Sequence, residues 1–254
     1  MASPEIHTAS VGTLLGVWAH PDDEAYLSSG LMALVRRAGG RVVVVTATRG
    51  EHGTDDPRAW PPERLAAHRE RELAESLAVV GVGEHRWLPH RDGELARVAV
   101  ADGAAELLPV LDEVRPDTIV TFGPDGMTGH DDHRAISTWV TEAWRRSGAH
   151  ADLWYATLTP QFHAQWGALN DSVGLWFSGS VPPVTAAHEL SAHVRCTGDL
   201  LTTKHRALRA HASQTRGLES LVGPERYRDW WATESFVAAG VTSPPRSQGL
   251  ARSG

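Results

Sequence analysis

Arg41-Val42-Val43-Val44-Val45-Thr46-Ala47-Thr48 is the stretch that decides the fold. Its four consecutive valines do not alternate with polar residues, so both faces of the strand they predict must be covered. Such strands belong to parallel sheets packed between helices. Thr13 to Ala19 reads as a buried strand before this run, and Glu24 to Ala38 as the intervening helix, ended by Gly39-Gly40. On the other side, Pro62 to Val80 opens with a proline suited to a first helical turn and sets Leu73, Leu77 and Val80 on one face. His85 to Leu88 is a weaker third strand. Val98 to Val114 is a helix whose continuity Gly103 and Pro109 put in question. Thr118 to Phe122, Asp132 to Arg146 and Asp152 to Thr157 then read as strand, helix and strand.

This alternation predicts an α/β fold, a Rossmann-like, doubly wound and mostly parallel sheet of order about 3-2-1-4-5 with helices on both faces. Strands one and four become neighbours in that order. Ligands in open α/β sheets bind beyond the carboxyl ends of such strands, where the winding reverses. Later segments carry weaker patterns. Gly167 to Pro183, rich in Gly, Ser and Pro, reads as a long connection or substrate-facing loop. Ala186 to Ala192 reads as a strand and Asp199 to Ser213 as a helix. Residues 1–241 are expected to form a single domain, with 242–254 a disordered tail.

A chain of 254 residues with 41% hydrophobic and 22% charged residues can build one sizeable core. The formal net charge of −7 argues against a nucleic-acid footprint. Cys196 is the only cysteine, which excludes an internal disulfide and fits a reducing compartment. Met1 to Ser10 lacks a basic region followed by an apolar stretch, and no apolar run is long enough for a membrane span. The chain reads as cytoplasmic. Its ten tryptophans, Trp18 among them, are read as packing residues.

Two short runs carry chemistry: Ala19-His20-Pro21-Asp22-Asp23-Glu24 and Gly129-His130-Asp131-Asp132-His133. Each sets imidazoles beside carboxylates, and each lies just beyond a predicted strand, one and four respectively. Two imidazoles and one carboxylate can hold a divalent ion while leaving positions open. Taken singly the signals are weak. With 14 histidines, about one His-x-x-His spacing arises by chance, and Asp22, Asp23 and Asp132 could each be a helix N-cap. Their joint placement at the expected switch point is what argues for a metal site.

These two runs resemble the signatures of the PIG-L/LmbE-like family of zinc-dependent N-acetylglucosaminyl deacetylases. Further matches are Thr48-Arg49-Gly50-Glu51, Arg69-Glu70-x-Glu72, Asp92-Gly93-Glu94-Leu95, Arg115-Pro116-Asp117 and His211-Ala212-Ser213-Gln214, so the similarity covers about Leu14 to Gln214. The family usually has Pro where Asp131 stands. An extra carboxylate there would either perturb His130 or point to solvent.

The resemblance implies His20, Asp23 and His133 as ligands of Zn2+, with Fe2+ able to take its place. It implies Asp22 as the base that takes the proton of the attacking water. His130 would then donate to the oxyanion, with Asp132 orienting His130 and keeping it protonated. Arg49 and Asp92 are expected to contact sugar hydroxyls, although Asp92-Gly93 could equally be a plain turn. Glu24 is expected to support the loop, and His211 to neighbour the site. The implied reaction releases acetate from a small N-acetylated amino sugar. Competing readings are an amidase acting on a thiol-sugar conjugate, a non-catalytic sugar- or metal-binding module, and a non-haem iron oxygenase whose facial triad the spacings also allow. A serine hydrolase lacks its Gly-x-Ser-x-Gly run.

Overall fold

The computed structural model describes residues 11–177 and 179–240, so the tail expected over 242–254 lies outside the described residues. In chain order the first part runs β1 (Leu14–Trp18), α1 (Asp23–Leu27), α2 (Ser29–Arg37), β2 (Val42–Thr46), α3 (Pro62–Val79) and β3 (Glu84–Trp87). Next come α4 (Val100–Val114), β4 (Thr118–Phe122), α5 (Asp131–Arg146) and β5 (Asp152–Thr157). The chain continues with α6 (Pro160–Ser172), β6 (Ala192–Arg195), α7 (Gly198–Ala210), α8 (Ala212–Val222), α9 (Pro224–Trp230) and β7 (Thr233–Ala238).

All seven strands join one sheet in the order β3-β2-β1-β4-β5-β7-β6. The first five are parallel in the expected order, and Leu14 of β1 lies opposite both Val42 and Thr118. Every residue of β1, β2 and β4 is buried, as strands covered on both faces require. Beyond β5 the sheet turns antiparallel, with β7 inserted between β5 and β6. Among the described residues no helix is long and apolar enough to cross a membrane.

Packing explains two irregularities of the sequence. Gly103 lies inside α4 because a Cβ there would stand 2.1 Å from the ring of Trp139 on α5. The helices therefore meet across that glycine. Trp18 is fully buried and meets Phe122 edge to face at 5.0 Å, so it belongs to the sheet core. A second apolar cluster, built around Phe162, Trp166, Tyr227, Trp230 and Trp231, joins α6 to α9 and packs Tyr26 of α1.

Four expected elements are corrected. The helix from Glu24 to Ala38 breaks at Ser28, whose φ is −146°. The carbonyls of Ala25 and Tyr26 accept from Lys204 Nζ at 2.9 and 2.7 Å, while Gly30 and Leu31 N–H donate to the Glu234 carboxylate at 2.7 and 2.8 Å. These are backbone groups that a continuous helix would satisfy within itself, Tyr26 C=O taking Gly30 N–H among them. Lys204 and Glu234 are themselves paired at 2.6 Å and fully buried. The supposed loop from Gly167 starts inside α6, which Thr159 caps by accepting from Phe162 N–H and Pro160 opens. The strand placed at Ala186 to Ala192 is a 3-10 turn over Ala187–Glu189, and pairing starts only at Ala192. Further on, the helix from Asp199 ends at Ala210, and His211 separates it from α8.

Candidate active site

Because β1 and β4 are neighbours, their exits deliver both motifs to one place. His20 follows β1, and His130 and His133 open α5 after β4. The His20 and His133 rings have centroids 5.1 Å apart, and His130 lies 4.9 Å from His20 and 5.0 Å from His133. Phe122, the last residue of β4, stacks flat on His133 at 4.0 Å and sets its plane.

Hydrogen bonds select the tautomers. His133 Nδ1 lies 3.0 Å from the Gly126 carbonyl, which can only accept, so Nδ1 carries hydrogen and Nε2 keeps its lone pair. His20 Nε2 lies 3.1 Å from Asp92 and 3.2 Å from Asp132, so it is the donor there and Nδ1 is the free side. The two free nitrogens face each other at 3.2 Å. Asp23 meets both, with one oxygen 3.3 Å from His133 Nε2 and the other 3.6 Å from His20 Nδ1. Facing lone pairs beside a carboxylate need a cation or a proton between them. A tetrahedral divalent ion with bonds of about 2.0–2.2 Å separates its ligand atoms by roughly 3.4 Å. The donor set therefore fits such an ion.

Two groups of three residues each bring one donor atom within 4.8 Å of one another: His20, His130 and His133, and His20, Asp92 and Asp132. The second group is already satisfied. Asp132 accepts from Gly93 N–H at 2.7 Å and Leu95 N–H at 3.1 Å as well as from His20, and Asp92 accepts from His52 N–H at 2.9 Å. Both carboxylates thus brace His20 from behind, as outer partners of metal-binding histidines do. Burial pushes His20 down, but Asp132, Asp92 and Asp23 override it and raise its pKa to about 10. Burial raises Asp23 to about 7 against the pull of His20.

This placement departs from three expected roles. The Asp132 carboxylate serves His20 rather than His130; it is the Asp132 backbone N–H that donates to His130 Nδ1, at 3.1 Å. His130 is therefore the N-cap of α5. With Nδ1 accepting, the neutral ring carries its hydrogen on Nε2. Burial and the charge of His20 depress the His130 pKa, so the ring is a neutral donor rather than the imidazolium expected. Asp92 is 8% exposed and committed to His20 and His52, so it braces the site instead of offering itself to a sugar.

Asp22 faces different partners. Its φ of 118° is strained for a residue with a side chain. Glu24 holds it by accepting the Asp22 N–H at 3.0 Å, and Arg69 holds it through the Pro21 carbonyl and an ion pair at 3.4 Å. The Arg69 guanidinium reaches this position across Gly50, whose φ is +62° and where a Cβ would meet it at 2.2 Å. Burial raises the Asp22 pKa against the attraction of Arg69. Below lies the fully buried Glu24–His211 pair at 2.7 Å, with Ser76 donating to the same carboxylate. Burial opposes both charges, but the pairing prevails, lowering Glu24 and raising His211. Arg69 stands in the Arg69-Glu70-x-Glu72 match without a role of its own, and nothing in the sequence marks Ser76.

The remaining expected residues lie at the edge. Asp131 is 79% exposed and 3.5 Å from Arg134, so the departure from the family pattern points to solvent. Arg49 stacks on Trp87 at 4.7 Å and donates to Glu70 and the Leu88 carbonyl. One cavity opens on the centre and a second joins the first. The first, of 230 Å³, is walled by Asp22, Asp23 and His133 on its polar side and is otherwise mostly apolar. A larger cleft of 1110 Å³ shares Gln214 and Leu218 with it. Arg49 lines neither.

Comparison with known proteins adds to this geometry. A family model described as "PIG-L: GlcNAc-PI de-N-acetylase" matches residues 15–144. A 1D-myo-inositol 2-acetamido-2-deoxy-alpha-D-glucopyranoside deacetylase of Saccharomonospora viridis is 37% identical over 164 residues, which cover 56% of this chain and 61% of that protein. The chain thus spans about three fifths of that relative. A deacetylase of the same name from Streptomyces griseus is 31% identical over 239 residues, 79% of this chain and 74% of the relative. The solved N,N'-diacetylchitobiose deacetylase from Pyrococcus horikoshii superposes with a TM-score of 0.61 at 23% identity, covering 89% of this chain and 83% of that one. At that identity the likeness shows the fold.

Proposed function

The chain belongs to the PIG-L family of GlcNAc-PI de-N-acetylases, and on that premise we propose that it hydrolyses the acetamide of an N-acetylglucosamine-containing small molecule, releasing acetate and a free amino sugar. The observation that carries the reading is the meeting of His20 Nδ1 and His133 Nε2 with Asp23, beside the uncommitted side of Asp22 and the Nε2–H of His130. We assign His20, Asp23 and His133 as ligands of Zn2+. When bound, zinc supplies Lewis-acid chemistry, polarising the carbonyl and making water more acidic.

The protein's own groups divide the remaining work. Asp22 takes the proton of the attacking water, a role suited to a carboxyl that burial has raised. Arg69 and Glu24 hold Asp22 in its strained backbone position, so its carboxylate needs no reorganisation. The Nε2–H of His130 donates to the oxyanion of the tetrahedral intermediate. Asp22 then passes its proton to the amine nitrogen as the C–N bond breaks. Asp132 and Asp92 keep His20 in the tautomer that offers Nδ1.

Zinc-loaded protein incubated with a panel of N-acetylglucosaminyl compounds, beginning with the inositol conjugate named for the relatives, should release acetate. Asp22→Asn should abolish turnover with zinc content near one per chain. His130→Ala should keep the metal and lose roughly 10²–10³ in kcat. A His130→Ala protein that no longer retains zinc would make His130 a ligand and overturn its assignment as oxyanion donor.

A further inference from the structure

The His130 ring is held at one end by a single hydrogen bond, donated to Nδ1 by the Asp132 N–H. One bond to a ring nitrogen leaves the plane of the imidazole free to rock. Three rings close around it: His20 at 4.9 Å, His133 at 5.0 Å and Phe177 at 4.8 Å, the last edge to face at 84°. Two of these are assigned to the metal. Phe177 is not, and at 52% it is the most exposed Phe, Tyr or Trp side chain among the described residues. A half-wet ring gains little from burial, so its contact with His130 has another reason.

A strap of chain brings Phe177 there. Beyond α6 the Leu175 N–H donates to the Asn170 carbonyl at 3.0 Å, and Leu175 and Trp176 wall the 230 Å³ cavity. The Phe177 N–H then donates to the Thr128 carbonyl at 2.9 Å, and the Ser180 hydroxyl lies 3.0 Å from the same oxygen. Ser180 packs so closely that a Cβ on Gly129 would stand 2.3 Å from its own. Farther along, the Pro183 carbonyl accepts from Leu158 N–H at 3.1 Å. Thr128 and Gly129 lead directly into His130, so the strap grips the loop that carries the imidazole and lays one ring upon it.

We infer that Phe177 is a positioning residue, which holds the His130 ring in the orientation from which its Nε2–H donates to the oxyanion. The inference rests on the amide-hydrolase reading above and adds a residue to it. A donor fixed in advance needs no reorganisation when the charge develops, and a misplacement of about 1 Å can cost 10²-fold in rate.

The test uses the zinc-loaded protein. Phe177→Ala should lower kcat roughly tenfold, with KM within about twofold and zinc still near one per chain. Phe177→Tyr keeps the ring and should recover most of that loss. In a His130→Ala background no donor remains to be positioned, so Phe177→Ala should change kcat less than about twofold. A kcat for Phe177→Ala that matches the parent overturns the inference and leaves the deacetylase reading standing. A loss of equal size in both backgrounds also overturns it, and so does a change confined to KM, which would make Phe177 a substrate contact instead. A second measurement needs no turnover: NMR relaxation at His130 Cε1, assigned from its loss in His130→Ala, should report a more mobile ring in Phe177→Ala. An equally ordered ring overturns the inference. Absence of turnover by the parent on every N-acetylglucosaminyl compound overturns the amide-hydrolase reading itself, and with it the donor that Phe177 would serve.

Discussion

Asp132→Asn separates two views of what this buried carboxylate does. Its oxygens accept from Gly93 N–H at 2.7 Å, from Leu95 N–H at 3.1 Å and from His20 Nε2 at 3.2 Å. Asparagine preserves the shape but keeps one acceptor oxygen and turns an NH2 toward a former donor. Hydrogen bonds to a charged acceptor contribute about 1.5–3 kcal/mol against about 0.5–1.5 for a neutral one, so the variant should lose roughly 1–3 kcal/mol of stability. The larger consequence falls on His20, whose Nδ1 becomes a weaker electron-pair donor once one of the two negative charges behind the ring is gone and only Asp92 remains. Loss of such an outer partner typically costs 10–100-fold in metal affinity, or about 1.4–2.7 kcal/mol. Competition for zinc against a chromophoric chelator at fixed pH measures this directly, and denaturant melts of the metal-free proteins give the stability change. Asp131→Asn, one residue away and exposed, is the control and should bind zinc as the parent does. If Asp132→Asn binds zinc within twofold of the parent while turnover collapses, the carboxylate acts through His130 and the reasoning from the His20 contacts is wrong.

Other outcomes follow from the same contacts. In the metal-free protein the His20 pKa is raised to about 10, so its contribution to stability is complete below about pH 6.5 and lost as pH approaches 10. Zinc must displace that proton, and calorimetry at pH 8 in buffers of different ionisation enthalpy should show close to one proton released per zinc; release near zero would contradict the His20 assignment. The Asp22 pKa is also raised, so its charge opposes folding once pH exceeds its unfolded value near 3.8. Metal-free Asp22→Asn should therefore melt above the parent at pH 7, with the gap closing toward pH 4; a lower melting point at pH 7 would refute this. Gly103→Ala, which drives a methyl into the Trp139 ring, should destabilise by about 1–3 kcal/mol in denaturant titrations despite the better helix propensity of alanine.

The parallel half of the fold was legible because its strands are covered on both faces and say so through unbroken apolar runs such as Val42 to Val45. The convergence of the two motifs followed from that order alone. Less legible was everything that depends on buried charge. β7 reads Thr-Glu-Ser-Phe-Val-Ala, and a glutamate and a serine at the start conceal a central strand unless Lys204, thirty residues earlier, is known to meet Glu234. The same pair accounts for the break at Ser28, which no local pattern marks. At the site, the placement of the two runs argued for a metal site and the family resemblance supplied the proposed ligands, but the division of labour among the outer carboxylates was hidden. Asp132 is adjacent to a ligand in sequence, yet it reaches His20, 112 residues away, because α5 starts beneath the loop that follows β1. Gly103 looked like a weakness in a helix and is a packing surface.

The insertion of β7 between β5 and β6 has a consequence for biosynthesis. As the chain leaves the ribosome, the parallel core is complete once Thr157 has emerged, and both motifs are then already present. Among the described residues β6 pairs in the sheet with β7 alone, so it waits for Thr233 to Ala238. The carboxylate that caps the start of α2 and neutralises Lys204 arrives on that same last strand. Until then, the short helix carrying Asp23 and Glu24 rests against a cation without its counter-charge. Nascent chains arrested before Thr233 are thus expected to hold both motifs without the Lys204–Glu234 clamp on the break between α1 and α2.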